Sequence, residues 1–230
     1  MKLKNLSDKK IIVSAGGTIE MLDPVRFMTN RSSGKMGISI ADAACKAGLN
    51  TVLIAGNVDK NLLSGKKYEI IKVLSTRDML EAVKNELSDN ALLIMAAAPA
   101  DYSFKEISPV KIKKKSDELN ITLVKNPDIL MESNKIRQSM NFSNLILAGF
   151  AAETNDLEKY ALGKLKEKNL DLICANDVSS SESGFESDYN KITIYFKNGL
   201  KKELNRALKK DIAKFILKNI DIYLGETNDK

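Results

Sequence analysis

Histidine is missing from all 230 residues. That absence removes imidazole from the base of a Ser-His or Cys-His pair, from general-acid duty and from metal ligation. Cysteine is nearly as scarce. Cys45 and Cys174 stand far apart in apolar segments, and they read as free thiols packed as small hydrophobes in a reducing compartment. Only four prolines interrupt the chain and aromatics make up 6% of it. No apolar run approaches the roughly 18 residues of a membrane-spanning helix, so no membrane partner is expected. The opening Met1–Asn5 leads straight toward a strand-like segment and reads as leaving no room for a signal peptide. A cytoplasmic location is therefore expected.

What is present is an ordinary globular composition, 43% hydrophobic and 29% charged with 12 glycines, which excludes disorder and collagen-like structure. A domain of this length buries about 70% of its unfolded surface and needs no staples. The formal net charge of +6 points to an anionic partner. Nucleic acid is not expected, because zinc-finger spacing, RNA-binding aromatic motifs and a long basic helix are all missing. A phosphate-bearing small molecule explains the charge equally well.

Strand-like apolar runs alternate with helical periods. Lys10–Ser14, Thr51–Ala55, Tyr68–Val73, Ala91–Ala97, Leu145–Ala148 and Leu170–Ala175 read as strands. Helices are expected over Lys35–Ala47, with Ser32 or Ser33 as cap and Gly48 at its left-handed end, and over Thr76–Leu87, capped by Ser75. Others begin at Asp128, span Asp156–Lys168 and close the chain at Ala207–Tyr223. Asn198-Gly199 between Lys191–Lys197 and Leu200–Leu204 signals a hairpin. No internal repeat is visible. The alternation predicts one α/β domain over residues 1–230, Rossmann-like and doubly wound with a mostly parallel sheet. Its chemistry belongs beyond the carboxyl ends of the strands.

Gly16-Gly17 after the first strand fits either a tight turn or a backbone that approaches phosphate. The G-x-G-x-x-G pattern is incomplete, and the second strand ends Ala55-Gly56-Asn57 without a ribose-binding acid, which disfavours a nicotinamide oxidoreductase. Ser32-Ser33-Gly34-Lys35 resembles the end of a phosphate loop. Met36 and Thr29 stand where that motif needs Ser or Thr and Gly, so the motif is excluded.

Several stretches taken in order are far more specific: Ser14–Glu20 (SAGGTIE), Asp23–Arg26 (DPVR), Asn30–Gly37 (NRSSGKMG) and Ala96–Tyr102 (AAAPADY). They are followed by Lys111–Lys114 (KIKK), Leu123–Ile129 (LVKNPDI), Gly149–Thr154 (GFAAET), Lys168–Leu172 (KNLDL) and Ala175–Val178 (ANDV). Over about residues 10 to 195 this set resembles the phosphopantothenate–cysteine ligase family, the phosphopantothenoylcysteine synthetases. In many bacteria that ligase is the second half of a bifunctional protein whose first half is a flavin-dependent decarboxylase relying on histidine. The chain resembles the ligase half standing alone, and flavin is not expected.

The resemblance implies joining of 4′-phosphopantothenate to L-cysteine through an acyl-nucleotide, in coenzyme A biosynthesis. Both steps build negative charge that placed donors and cations must stabilise. Asn30 matches the catalytic asparagine, against a bare reading as a turn residue. Lys111, in a lysine-rich lid over about residues 103–124, matches the lysine that reaches the triphosphate; on charge alone it is a solvated run. Nucleotide binding is implied for Ala97, Asp101, Asn126, Pro127, Asp128, Ile129 and Phe150. The same role falls to Lys164 and Lys168, four apart on one helix face. Gly16, Gly17 and Thr18, together with Asn30, Ser32, Ser33, Gly34 and Lys35, would face the phosphopantothenate.

Two departures from the family pattern stand out: Arg31 where many relatives carry His, and Pro99, which stiffens its segment. The KNPDI motif looks bacterial, which implies CTP rather than ATP, with Mg²⁺ held largely by phosphate oxygens and water. The metal ligands are not legible. A homodimer is implied, with residues 179–204 as a candidate dimerisation element.

Overall fold

The computed structural model describes residues 1–114, 117–153, 156–177 and 187–228. Lys115 of the lysine run, Thr154 and Val178 of the motifs, and residues 179–186 of the candidate dimerisation element lie outside them. β1 (Lys10–Ala15) is followed by a short hairpin, β2 (Ile19–Met21) and β3 (Phe27–Thr29), and then by α1 (Lys35–Lys46). β4 (Thr51–Ala55), β5 (Glu69–Lys72), α2 (Thr76–Glu86) and β6 (Ala91–Met95) complete the first half. The second half opens with β7 (Tyr102–Phe104) and β8 (Leu123–Lys125), which pair with each other, and continues with α3 (Ile129–Ser139), β9 (Ile146–Glu153) and α4 (Leu157–Glu167). β10 (Leu172–Asp177), β11 (Tyr189–Phe196), β12 (Lys201–Leu208) and α5 (Lys209–Asn228) close the chain.

Eight strands form one sheet in the order β12-β11-β10-β9-β6-β1-β4-β5. All neighbours pair in parallel from β10 to β5, and β11 and β12 add an antiparallel edge. The expected α/β, mostly parallel architecture is what the chain adopts. The central strands read as unbroken apolar runs because both sheet faces are covered. Ile11, Val13, Leu53, Leu92 and Ile94 pack with α1 and α5. Ile12, Ile54, Leu93 and Leu147 point the other way, into a second core with α2, α3 and α4. Each such side chain contributes about 1.5–3 kcal/mol on burial, far more than any local strand propensity.

Local signals account for most helix starts. Ser75 and Asp78 form a reciprocal capping box on α2, and Asp128 caps α3 by accepting from the Met131 amide at 3.1 Å. α1 departs from expectation. Its cap position falls on Gly34, at φ 73 in the left-handed region, so neither Ser32 nor Ser33 serves as cap. Gly48 ends that helix at φ 82, as expected. β9 and β10 each run past the expected end, to Glu153 and Asp177, while β6 stops at Met95 and α5 begins at Lys209.

The hairpin at Asn198-Gly199 forms, with Gly199 at φ 88 and its amide on the Phe196 carbonyl at 3.0 Å. Its outer strand β12 carries exposed Lys201, Lys202, Glu203 and Arg206, charges that oppose edge pairing. Exposed apolar side chains gather elsewhere: Val25 and Phe27 on the first hairpin, and Tyr102, Ile107, Val110 and Leu119 on the β7–β8 excursion.

Candidate functional site

Chain order runs outward in both directions from the β1–β6 pair, so the switch point of the sheet lies above those two strands. The loops that leave them meet there. Segment 97–100, after β6, is pinned from below by the turn after β1. The Ser14 hydroxyl accepts from the Ala97 amide at 3.0 Å, the Gly16 carbonyl from the Ala98 amide at 2.9 Å, and the Thr18 hydroxyl from the Ala100 amide at 2.9 Å. The Ala100 carbonyl in turn accepts from Asn126 Nδ2 at 2.9 Å. This layer makes the floor of two adjoining cavities.

The first cavity, of about 290 Å³, is lined by Asn30, Ser32, Ser33, Gly34, Lys35 and Met36 on one side and by Ala96, Ala97 and Ala98 beneath. Phe150 and Ala151 of β9, Lys164 of α4, Asn176 of β10, Asn190 of β11 and Lys209 of α5 complete it. The second cavity, of about 170 Å³, is bounded by Thr76, Met95, Ala97 and Pro99 to Asp101, by Lys125 to Leu130, and by Phe150 and Lys168. Ala97 and Phe150 belong to both walls. Asn30 sits at the junction: it lines the first cavity, and its side-chain amide donates to the carbonyl of Pro99, which lines the second, at 3.0 Å.

The expected residues divide accordingly. Asn30, Ser32, Ser33, Gly34 and Lys35 share the first cavity. Asp101, Asn126, Pro127, Asp128, Ile129 and Lys168 share the second. Lys164 and Lys168, although one helical turn apart, go to different cavities, and Lys168 is held by the Asp128 carboxylate at 2.6 Å.

Four expected positions lie off both walls. Thr18 is fully buried, and its hydroxyl serves the floor and the carboxylate of Glu20. Gly16 and Gly17 are close-approach positions, but their neighbours are protein: a Cβ on Gly17 would meet the Asn30 carbonyl at 2.6 Å, and one on Gly16 the Asn57 carbonyl at 2.9 Å. Lys111 is exposed and lines neither cavity. The next residue explains why. Ile112 is tied through its amide to Asp23 Oδ2 at 3.1 Å and through its carbonyl to the Arg26 guanidinium at 3.0 Å. Asp23 is buried against Arg26, and that guanidinium, aided by the Val25, Ile112 and Arg26 amides, holds its carboxyl well below the usual carboxylate range. The lid is thereby anchored on the DPVR motif, at the turn of the first hairpin.

Beneath the second cavity lies a buried acid. Glu20 Oε1 accepts from the Thr18 hydroxyl at 3.1 Å, the Thr76 amide at 2.9 Å and the Thr76 hydroxyl at 2.8 Å. It sits at the amino end of α2, where the helix dipole favours negative charge.

Asn176, Asn190 and Lys209 had no expected role. A polar residue at the carboxyl end of an otherwise apolar strand was the available signal for Asn176. Lys209 reaches the cavity only through the antiparallel edge and the return of α5, which no local pattern encodes. Two buried oxygens, Asn126 Oδ1 and Asn176 Oδ1, have no hydrogen-bond partner among the described residues, one in the lining of each cavity. Such an acceptor costs about 1–3 kcal/mol, so a donor on a ligand or water is the natural partner of each. The site as a whole can hold anions, through Lys35, Lys164, Lys209 and the amino end of α1. It can also bring two ligands together at Asn30.

Known proteins resemble the chain in sequence and in fold. Residues 6–223 match the family described as DNA/pantothenate metabolism flavoprotein C-terminal domain. The chain is 44% identical over 224 residues to the coenzyme A biosynthesis bifunctional protein CoaBC of Vibrio vulnificus (strain YJ016), covering 96% of this chain and 54% of that protein. Against the protein of the same name from Bacillus subtilis (strain 168) the identity is 41% over 225 residues, covering 98% and 54%. The chain thus spans about half the length of the curated relatives it matches. A crystal structure of the C-terminal domain of CoaBC superposes with a TM-score of 0.77 at 36% identity, covering 96% of this chain and 98% of that one. The chain belongs to the family of DNA/pantothenate metabolism flavoprotein C-terminal domains.

Proposed function

We propose that the chain ligates 4′-phosphopantothenate to L-cysteine through an acyl-cytidylate, converting CTP to CMP and pyrophosphate, as a step of coenzyme A biosynthesis. The observation that carries this reading is the pair of cavities that share Ala97 and Phe150, with Asn30 at their junction. The names of the relatives support the pathway, and the first cavity's lysines and hydroxyls suit a phosphorylated acid.

In this reading the second cavity takes the nucleotide, with base and sugar against Asn126 to Ile129, and the first takes phosphopantothenate. The substrate carboxylate attacks the α-phosphorus at the junction, and pyrophosphate leaves. The cysteine amine then attacks the acyl carbon, loses a proton, and expels CMP. Asn30 donates to the oxyanion that forms at each step, a charge-neutral role that needs no particular pH. Lys164 and Lys35 balance phosphate charge, and the side chain of Phe150 helps keep water from the acyl-nucleotide. Lys111 reaches the triphosphate only if the lid leaves its Asp23–Arg26 anchor or serves a second copy.

Among the described residues no group of three or more Cys, Asp or Glu side chains could cage a metal. In this reading a Mg²⁺ would be carried in on the triphosphate, with Asp101 the exposed carboxylate on the second cavity's wall. Such an ion would screen charge on the phosphates.

A homodimer and a cytoplasmic location belong to the same proposal. Among the described residues no helix is long and apolar enough to cross a membrane. The exposed apolar side chains of the first hairpin and of the β7–β8 excursion support a pairing surface there, beside the candidate element at residues 179–204. The reading is tested by pyrophosphate release with CTP and 4′-phosphopantothenate, with and without cysteine. Sustained turnover to CMP only with cysteine is expected. Turnover with ATP alone would overturn the choice of base, and silence in every mixture would overturn the ligase.

A further inference from the structure

Val58 lies in the loop after β4 and lines neither cavity. Its place is fixed from two sides. Upstream, the Gly56 amide donates to the Ala15 carbonyl at 2.9 Å and the Asn57 amide to the Gly17 carbonyl at 2.7 Å. These bonds stitch the loop to the turn after β1. Downstream, Asp59 caps a short 3-10 turn over Lys60–Leu63 by accepting from the Asn61 amide at 2.9 Å. Leu62 and Leu63 of that turn, and half-buried Val58 itself, pack against the core that α1 and α5 cover. One valine methyl occupies the place of two absent side chains. A Cβ on Gly16 would stand 2.6 Å from Val58 Cγ1, and one on Gly34 would overlap that same methyl and come within 3.2 Å of the Gly16 nitrogen. Both glycines are left-handed, at φ 82 and 73, a conformation that side chains disfavour.

We propose that Val58 is a positioning residue for the substrate of the first cavity: its methyl is the peg on which Gly34 rests, and it thereby sets the cavity wall at residues 32–34. Gly34 is the pivot of that wall. Its carbonyl accepts the Ile38 amide at 3.1 Å at the start of α1, and Ser32 and Ser33 precede it on the cavity lining. Glycine permits the left-handed turn but holds nothing, because it has no side chain to pack. The β-branched valine supplies the missing contact, since its restricted χ1 keeps the methyl in the gap. The rest of the site is held by other means. Ala97 and Ala100 hang on the Ser14 and Thr18 hydroxyls, and Asn30 on the Pro99 carbonyl. Val58 therefore acts on one wall rather than on the whole site.

Two opposite changes follow from one contact. Val58→Ala takes the methyls away, leaves a void under Gly34 and lets the wall settle away from the first cavity. A ligand there loses its fit, while one in the second cavity keeps it. Gly34→Ala instead drives a new methyl into Val58, which packed interiors resist. Made together, the two changes relieve each other, because the room that one needs is the room that the other leaves. Only the left-handed strain of the alanine then remains. The identity of the first cavity's substrate rests on the ligase reading; the contact between Val58 and Gly34 stands without it.

The test pairs steady-state kinetics with thermal unfolding of the whole chain, for wild type, Val58→Ala, Gly34→Ala and the double variant. In Val58→Ala, KM for 4′-phosphopantothenate should rise by about fivefold or more. KM for CTP should stay within about twofold of wild type, and kcat should fall by less than the first KM rises. Gly34→Ala alone should lower Tm by about 4–20 °C, from strain and overlap together. Added to Val58→Ala, it should lower Tm by about half of that or less, since only the strain remains. Should Gly34→Ala fail to fold alone, a folded double variant is the same rescue. Additive losses in Tm, an unchanged KM for 4′-phosphopantothenate in Val58→Ala, or an equal rise in both KM values each overturns the proposal. A wild type without turnover in any mixture sinks the ligase reading, and the peg then stands or falls on the coupling in Tm alone.

Discussion

The side-chain amide of Asn30 donates to the carbonyl of Pro99 at 3.0 Å, tying the loop after β3 to the segment after β6. The bond places a polar side chain at the junction of the two cavities, the point where two substrates would react. Asn30→Asp replaces a donor by an anion beside that carbonyl and beside any oxyanion formed there. Turnover should fall by about 10²–10³-fold. Far-UV circular dichroism should stay as in wild type, because Asn30 is exposed. Near-normal turnover in this variant would remove Asn30 from the chemistry.

Thr18 acts through the floor. Its hydroxyl links the Ala100 amide to the Glu20 carboxylate, and Thr76 closes the same network at 2.9 Å. Thr18→Val keeps the shape and leaves a buried amide and a buried carboxylate short of partners, at a cost of about 1–3 kcal/mol. For a chain of this size that lowers Tm by about 2–4 °C per kcal/mol. A looser Ala98–Ala100 segment should raise KM for the nucleotide more than it lowers kcat. An unchanged Tm with unchanged KM would show that the network does not set the floor.

The fold was legible where one physical rule dominates. Apolar runs such as Lys10–Ser14 and Thr51–Ala55 need cover on both faces, and the Ser75–Asp78 capping box fixes its helix locally. The candidate site was legible as a set of motifs, and most of these meet at the switch point. What the motifs did not show is direction. Thr18 and Glu20 lie in one motif with Gly16 and Gly17, yet the threonine and the acid turn inward while Gly17 makes room for the loop at Asn30 and Gly16 for the one at Asn57. Ser32 and Ser33 looked like caps because a helix follows them. The left-handed Gly34 takes that position, which leaves both serines on the cavity wall. Lys209 was invisible for a different reason: its place depends on pairings between segments more than a hundred residues apart.

Gly37 tests the packing of α1 on the sheet. A Cβ there would run into the Ser14 carbonyl and come within 2.8 Å of the Ala15 Cβ. Backbone has little room to give, so Gly37→Ala should destabilise the protein by about 1–3 kcal/mol as overpacking does. It should also disturb Ser14, whose hydroxyl holds Ala97. Chemical denaturation reads the first effect, and weaker binding of both substrates reads the second. Gly48→Ala is the control. Unlike Gly37 it sits at positive φ, with open space around it, so only the backbone penalty of about 1–2 kcal/mol applies.

Lys209 gives the site a pH dependence with a definite sign. Burial first and Lys35 second lower its pKa to about 8. Among the described residues, the charged groups facing it include Lys35 from α1 and Asp188 ahead of β11, with Lys164 of α4 on the same cavity. A bound phosphate dianion would raise that pKa again, so binding above pH 8 requires uptake of a proton. Affinity for 4′-phosphopantothenate, measured without cysteine or nucleotide, should be level between about pH 7 and 8, where the phosphate monoester is already a dianion. Above that it should fall by up to about tenfold per pH unit, the limit for one proton. Lys209→Arg keeps its charge throughout and should hold its affinity to higher pH. The same shift works the other way on folding. Below pH 8 the folded chain carries the full penalty of a buried ammonium. Between pH 8 and the unfolded value near 10.5 the unfolded chain binds the extra proton, and this group's contribution to stability rises with pH. A parallel fall in affinity for wild type and Lys209→Arg would assign the proton to another group.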